Sequence, residues 1–541
     1  MRLAIPFRDI SPVILPIAGS ALLWAVVFFS IPASEQEFPL NDDWAFARGA
    51  LLFARGEGIH YSGWASMPQL GQWLWALPFV AVFGPSHVAL RLSTIALSWI
   101  GLVAFYDLLR HEGLPKGRAA LVVAALAFNP LFFLLAGTYM TDVPALSMAL
   151  AALAFYRRAL AGGRLGALAL GTSVATLAAL TRQNTLVVPI VTAILLARER
   201  PLRKRPAWWI AIALPLVIGI AVHLWFQGRP DTRAIAPQWP ETDVLLLLPF
   251  LLGHFFGLYA LPLLVAGGGR GRFRAFGIGA LLMLGAAIFW HGPGDKYLPY
   301  GGLFPYSENM ITPWGAFAGS RFTGALEVGK RPLILGTDAR WVLTILGCVA
   351  GAGWLSRAFE RERLRLLAGA LGLFTLLELP FLLIAPDLYD RYLLLLLPGA
   401  LCLAAPIGDA GRLRRLLAAG VLTLMAIVSL ALMHDWLAWN SARWKLGERA
   451  LTAGINPWDI EGGFEWDGWF SPAPRRDPRG PRRGLTLPFT HDWFPHVTGR
   501  YAIAFSQPPG TVCLDRQEYH LWLSPGQHEM LLVQIGAAPG K

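Results

Sequence analysis

Asp42 and Asp43 stand side by side in PLNDDWAFARGALLFARGEGIHY, just beyond the first long apolar run, and Asp142 opens another apolar run in TYMTDVPALSMAL. Both places suit a helix start. Asn41-Asp42-Asp43 precedes apolar residues at helical spacing, and Asp142 comes two residues before Pro144. A cap needs one acid, however, and two adjacent carboxylates repel each other. The second carboxylate therefore calls for a proton, a cation or a polar donor. Acids beside a bilayer are costly unless they serve such a partner. Arg391 lies in Asp387-Leu388-Tyr389-Asp390-Arg391-Tyr392, where it either pairs with Asp387 or Asp390 or clamps a phosphate through its two-pronged guanidinium. Arg182-Gln183-Asn184 sits between two apolar runs and poses the same choice, an ordinary interfacial turn or a head-group site. Arg91, early in an apolar run, reads as snorkelling or internally paired.

Carboxylates and guanidiniums in one outward-facing groove suit group transfer from a lipid-phosphate donor. Asp42, Asp43 or Asp142 would take the acceptor proton as the anomeric carbon is attacked. The leaving phosphate needs positive charge from Arg182, with Gln183 beside it, from Arg391, or from a divalent ion. Such an ion, held by Asp43 and Asp142 through oxygen, would be Mg or Mn. Trp44 and Tyr392, beside these groups, are candidate rings for stacking on a sugar. So is Trp466, in the Trp-rich turn 462–469, which otherwise reads as plain packing. The run GGGRGR at 267–272 reads as a flexible basic turn, not a phosphate loop.

The elements that must hold these residues follow from composition. Of 541 residues, 55% are hydrophobic and 15% charged, with a mean hydropathy of +0.49. Soluble domains carry roughly 25% charged residues, so a soluble fold is excluded, as are disordered, collagenous and coiled-coil chains. Spans of about 20 apolar residues are predicted at 12–33, 87–110, 118–135, 144–162, 165–181, 184–198, 208–226, 243–266, 273–291, 341–356, 363–385, 390–407 and 413–435. With the N-terminus placed in the cytoplasm, the cytoplasmic segments hold roughly twice as many Lys and Arg as the opposite segments before the tail. The net charge of +12 is thus an insertion signal, not a nucleic-acid surface. The first span reads as a retained anchor. Cys348, Cys402 and Cys513 read as packing residues. Three segments on the far side are long: 34–86, with an interfacial helix at 70–84; 292–340, rich in Gly and Pro; and the tail 436–541. The tail's alternating runs at 501–505, 519–523 and 529–535 predict strands. The expected fold is an all-α polytopic membrane protein of about 13 transmembrane helices over 1–435. A small β-containing extracytoplasmic domain follows at 436–541, in an integral protein of the inner cell membrane.

The acidic pair after the first span resembles the acidic motif of the GT-C superfamily of glycosyltransferases. So do Phe83-Gly84-Pro85 with Ala89-Leu90-Arg91-Leu92, Asp142-Val143-Pro144, and Asp390-Arg391-Tyr392 leading to Leu397-Pro398. Together, over roughly residues 30–400, they look like the family 39-like branch, with the protein mannosyltransferases and the aminoarabinose transferase of lipid A. That branch usually reads Asp-Glu where this chain has Asp42-Asp43. The resemblance implies catalytic roles for Asp42 or Asp43 and for Asp142, with Arg182 and Gln183 near the lipid phosphate. It also implies a polyprenyl-phosphate-linked monosaccharide as donor, a glycan, lipid or protein acceptor, and inversion at the anomeric carbon. Two other readings compete: a transporter or flippase of a lipid-linked saccharide, and a non-catalytic envelope assembly protein. The lack of any fixed-period repeat, and the placing of strong charges at span ends, count against a transporter.

Overall fold

The computed structural model describes residues 11–233, 242–267, 273–292, 299–306, 309–317, 329–358, 360, 363, 365–385, 389–406, 411–471 and 493–535. Asp387 and most of 267–272 lie outside them.

The chain is mostly helical. In order come α1 (Ser11–Ser30), α2 (Asp43–Ala54), α3 (Leu70–Phe83), α4 (His87–His111), α5 (Lys116–Ala127), α6 (Pro130–Ala136), α7 (Asp142–Gly162), α8 (Leu165–Thr181) and α9 (Val187–Arg198). Then follow α10 (Pro206–Gln227), α11 (Thr242–Tyr259), α12 (Leu261–Gly267), α13 (Phe273–His291), α14 (Thr337–Ala358), α15 (Ala370–Leu383), α16 (Leu397–Ala404), α17 (Arg412–Thr452) and α18 (Phe464–Phe470). Among the described residues six helices are long and apolar enough to cross a membrane, or eight if two bent pairs each count as one span. Those pairs are α5 with α6, bent by 63°, and α11 with α12, bent by 68°. The first bend has a local cause: Asn129 starts α6, its side chain accepting the Leu131 and Phe132 amides, and Pro130 occupies the first turn. The predicted span 390–407 begins as the tight helical turn Asp390–Leu395 before α16. The predicted interfacial segment 70–84 is the short helix α3.

α7 is the hub. It is buried almost throughout and packs against α4 and α8. The outer helices instead expose large apolar side chains: Leu15, Leu22 and Phe29 on α1, Ile210 and Val217 on α10, Leu416 and Leu424 on α17. Apolar surface of that extent suits hydrocarbon, not water. α17 has 41 residues. At 1.5 Å per residue it is ~60 Å long, about twice the hydrocarbon thickness. Its second half is buried, with Trp436, Trp439, Asn440, Arg443 and Trp444 all enclosed by protein.

The tail packs around that second half. Its sheet has the order β3-β4-β6-β5, with β3 (Ile460–Glu461) parallel to β4 (Tyr501–Ala504) and antiparallel pairing elsewhere. β5 is Thr511–Tyr519 and β6 is His528–Ile535. The predicted strand at 519–523 contributes only Tyr519. Beyond it, the Trp522 and Leu523 amides donate to Asp435 of α17 at 2.7 and 3.0 Å, and the Trp522 ring stacks on His434 with centroids 3.9 Å apart. These amides latch the tail to the helix instead of extending a ladder. A two-stranded hairpin, β1 (Ile311–Thr312) with β2 (Gly315–Ala316), lies between α13 and α14.

α3 crosses α8 at a point where only glycine fits. A Cβ on Gly71 would come within 1.9 Å of the Leu177 carbonyl oxygen and 2.6 Å of Thr181 Oγ1. Gly71→Ala is therefore expected to cost about 1–3 kcal/mol of stability by overpacking. A lowered thermal midpoint in detergent would show it, and an unchanged midpoint would mean that α3 can slide off α8.

Candidate functional site

The loop before α2 is set by a strained residue. Asn41 has φ 55°, a left-handed backbone that costs energy outside glycine. It is held there by partners far away in sequence: its amide donates to Glu465 Oε1 at 2.9 Å, and its Nδ2 donates to Asn309 Oδ1 at 3.3 Å. Glu465 in turn takes the guanidinium of Arg443 on α17 at 2.7 Å, a pair wholly inside the protein. Arg91 fixes the preceding residues, donating to the Gln36 carbonyl at 2.6 Å and to the Phe38 carbonyl. It is internally paired, one of the two alternatives its position left open.

Asp42 is thereby presented without capping α2, for its side chain makes no cap hydrogen bond. Oδ2 accepts from Arg391 Nη1 at 2.8 Å, and Oδ1 accepts from the Trp64 indole N–H at 2.8 Å. Asp142 begins α7 and makes a second crossing pair, its Oδ1 2.5 Å from Arg182 Nη1. Arg182 stands where α8 ends and the backbone turns extended. Asp142 also lies within electrostatic reach of Arg391. The Tyr392 ring is near both cations, with its centroid 5.7 Å from the Arg182 guanidinium and 5.5 Å from that of Arg391. Asp42, Asp142, Arg182, Arg391 and Tyr392 thus form one constellation. A cavity of about 140 Å³ opens beside it, lined on the polar side by Arg182, Gln183, Asn184, Glu378 and Tyr392 and on the apolar side by residues such as Phe381, Leu382 and Leu396.

The other candidates are placed differently. Asp43 turns away from Arg391, its Oδ2 accepting the Tyr139 amide at 2.9 Å. Its Oδ1 is buried without a partner. Burial pushes its carboxyl up to about 8, against the pull of the Tyr139 amide and the Arg91 charge. Trp44 is 0% exposed, lying against Gly468 and edge-on to Phe464 and Phe494. Trp466 is also 0% exposed, pressed on Gly447, where a Cβ would come within 2.2 Å of the ring. Neither indole offers a face to a sugar, so of the three rings only Tyr392 borders the cavity. The reason is size: in a chain with 22 tryptophans, many indoles must fill the core. Asp390 does not pair with Arg391; its two oxygens accept the Met310 and Ile311 amides at 3.0 and 2.8 Å and hold the β1–β2 hairpin.

Two residues of the site were not anticipated. Trp64 carries no local signal beyond its place in the long segment 34–86. Glu378 was hidden in the predicted span 363–385, although a lone acid in an apolar run is itself a signal. It is 3% exposed, and its Oε2 accepts from the Asn184 side-chain Nδ2 at 3.2 Å.

For a divalent ion the donor set fits poorly. Among the described residues no group of three or more His, Cys, Asp or Glu side chains gathers to hold one. Asp142 is engaged by Arg182 and Asp43 by a backbone amide, so an ion shared by these two aspartates would first have to displace both partners.

Residues 66–225 match the family model described as dolichyl-phosphate-mannose-protein mannosyltransferase. The resemblance read from the sequence holds over these residues. They include Asp142, Arg182 and Gln183; Asp42 and Arg391 lie outside the match. No curated protein matches the chain in sequence. Among solved structures, the chain is similar to ArnT from Cupriavidus metallidurans in the apo state, at 15% identity and a TM-score of 0.38 over 98% of this chain and 99% of that one. The same ArnT bound to undecaprenyl phosphate is similar at 13% identity and a TM-score of 0.37, over 98% and 99%. The archaeal oligosaccharyltransferase AglB from Archaeoglobus fulgidus, with an inhibitory peptide and a dolichol-phosphate, is similar at 13% identity and a TM-score of 0.40, over 91% of this chain and 64% of that one.

Two outcomes follow from the electrostatics. Arg391→Met strands the Asp42 carboxylate and is expected to cost about 3 kcal/mol of stability, while adding Asp42→Asn restores part of it. Denaturation of the two single variants and the double variant measures that coupling; additive losses would refute the pairing. Asp43 has its pKa raised on folding to about 8, so the folded state holds a proton that the unfolded chain gives up from the ordinary carboxylate range upward. Stability is therefore full only in acid below that range, falls as pH rises toward about 8, and levels off above it. Asp43→Asn should match the wild type below roughly pH 4 and grow progressively more stable than it up to about pH 8, as thermal midpoints across the range would report.

Proposed function

We propose that the protein is a membrane glycosyltransferase that moves a monosaccharide from a polyprenyl-phosphate donor to an acceptor hydroxyl at the extracytoplasmic face. The observation that supports it most is the pairing of two carboxylates with two guanidiniums around Tyr392, beside a half-apolar cavity. A sugar-phosphate lipid presents an anionic phosphate, hydroxyls and a hydrocarbon tail, and the lining of the cavity complements the first and the last. The donor of the matching family, dolichyl-phosphate-mannose, belongs to the same chemical class.

In this reading Arg182 and Arg391 hold the phosphate, with Gln183 beside it. Phosphate binding competes for guanidinium charge that Asp42 now shares, which frees the carboxylate to act as base. Asp42 takes the proton from the acceptor hydroxyl, whose oxygen bonds to the anomeric carbon. The carbon–oxygen bond to phosphate breaks, and its electron pair leaves on the phosphate oxygen next to the arginines. Attack opposite the leaving group inverts the anomeric centre. Asp142 fixes Arg182 and adds negative charge near the acceptor. Asp43 supports the loop from beneath through the Tyr139 amide. The charge bias of the loops supports a reading in which this end of the bundle faces away from the cytoplasm. The tail 436–541 then lies on the same side, as an extracytoplasmic domain following the membrane domain 1–435.

Purified protein incubated with a panel of polyprenyl-phosphate sugars and acceptors should release polyprenyl phosphate, detected by mass spectrometry. Asp42→Asn and Arg391→Met should each lower the rate by roughly a hundredfold or more while the protein stays folded, because each removes a group acting on the reacting atoms. Full activity of both variants would remove the basis of the assignment. Net lipid-saccharide flux across vesicles without any product would favour a flippase. EDTA and Mg or Mn addition tests the phosphate charge separately: neutralisation by arginine alone leaves the rate within about twofold, whereas an ion at the phosphate would make chelation costly.

A further inference from the structure

Among the described residues Trp64 is the one neutral donor to the Asp42 carboxylate, and it is unusually well held. Its indole N–H points at Oδ1 at 2.8 Å, so one carboxylate oxygen is engaged by Trp64 and the other by Arg391. Such a fork fixes the carboxylate plane. The ring is packed among aromatic side chains and a guanidinium. The Trp493 ring from the tail meets it nearly edge-on at 4.8 Å, and Phe464 of α18 does so at 5.4 Å. The Arg233 guanidinium lies 4.7 Å from the Trp64 ring and 4.2 Å from that of Trp493. The chain carrying Arg233 is tied along residues 59–65. The Arg233 amide donates to the Ala65 carbonyl at 2.8 Å, and the Gly63 amide donates to the Asp231 carbonyl at 2.9 Å. Asp231, gripped by Arg229 at 2.8 Å on each oxygen, accepts the Tyr61 amide at 3.0 Å. Packing alone would not require the indole nitrogen to face a carboxylate. A phenylalanine would fill the same aromatic nest.

We infer that Trp64 is a positioning residue that orients the Asp42 carboxylate through its N–H, and that the tail and the 229–233 loop act on the reaction by holding the Trp64 ring. The inference rests on the reading of Asp42 as the base. An arginine released toward phosphate leaves Asp42 with the indole as its remaining tether. Trp64 thereby keeps Oδ2 aimed at the acceptor during the step in which the ion pair is weakened. It touches no reacting atom itself, so its loss should appear in kcat and not in donor binding.

The test is Trp64→Phe in the full-length protein, which keeps an aromatic ring in the nest and removes only the N–H. A hydrogen bond to a charged group is worth enough to expect a fall in kcat of about tenfold or more, with KM for the lipid donor within about twofold. The same substitution in an Asp42→Asn background should change the residual rate by less than about twofold, because the group it orients is gone. Wild-type kcat for Trp64→Phe, or a raised KM with kcat unchanged, would overturn the inference while leaving Asp42 as base. Full activity of Asp42→Asn would instead remove the reading of Asp42 and this inference with it. Should Trp64→Phe not fold, Trp493→Leu withdraws the tail's hold on the ring and should show the same split between kcat and KM; an unaltered kcat there would equally overturn it.

Discussion

Charge in a poorly hydrated place must be matched, and that requirement organises this molecule. A carboxylate at the edge of a bilayer cannot rely on water, so each must find a cation or a set of N–H donors. Asp42 finds Arg391 and Asp142 finds Arg182, each across a long stretch of sequence. Because the partners come from different helices, the pairs act as bolts between α2, α7, the end of α8 and the turn before α16. A buried ion pair contributes little net stability relative to apolar packing, yet breaking one is expensive. A bundle held partly by such pairs is therefore specific in its arrangement, and it keeps charge available where an anionic ligand can compete for it.

The same logic shows what could be read from the sequence. Asp42 and Asp142 were legible because acids at the ends of apolar runs demand an explanation, and the structure does bring them to one constellation. Arg182 and Arg391 were legible as cations at the same membrane level. Their partners were not, since pairing between residues hundreds of positions apart leaves no local trace. Arg391 has Asp390 next to it, but Asp390 is committed to the Met310 and Ile311 amides. The mostly helical fold followed from hydropathy, although among the described residues six helices, or eight with the bent pairs, are long and apolar enough to span, beside thirteen predicted segments. β5 escaped notice because TVCLDRQEY does not alternate apolar with polar: Val512 and Leu514 share the solvent face with Arg516 and Glu518, and Asp515 falls on the opposite face. Trp44 and Trp466 looked like sugar platforms by composition, and only tertiary packing reveals that both are core.

The tail is bound into the membrane part at several places, three of them at α17, the acidic loop and Trp64. Asp435 on α17 receives the Trp522 and Leu523 amides. Glu465 joins Arg443 to the Asn41 amide. Trp493 and Phe464 enclose Trp64. The second and third converge on the few residues around Asp42. The left-handed backbone at Asn41 is uphill by itself, and it persists because Glu465 receives the amide that this conformation exposes.

It follows that the tail and the acidic loop cannot be separate thermodynamic units. Removing Glu465 would leave the Arg443 charge inside the protein without its carboxylate, and would also release the Asn41 amide, so a single change would loosen both α17 and the loop. A helix of ~60 Å running unbroken from the bilayer into the tail gives that coupling a stiff frame, since any tilt of the tail must move the part of α17 that carries Arg443. Whatever binds the tail therefore works on the same residues that hold Asp42 in place, and a bound partner could alter reactivity without approaching the cavity.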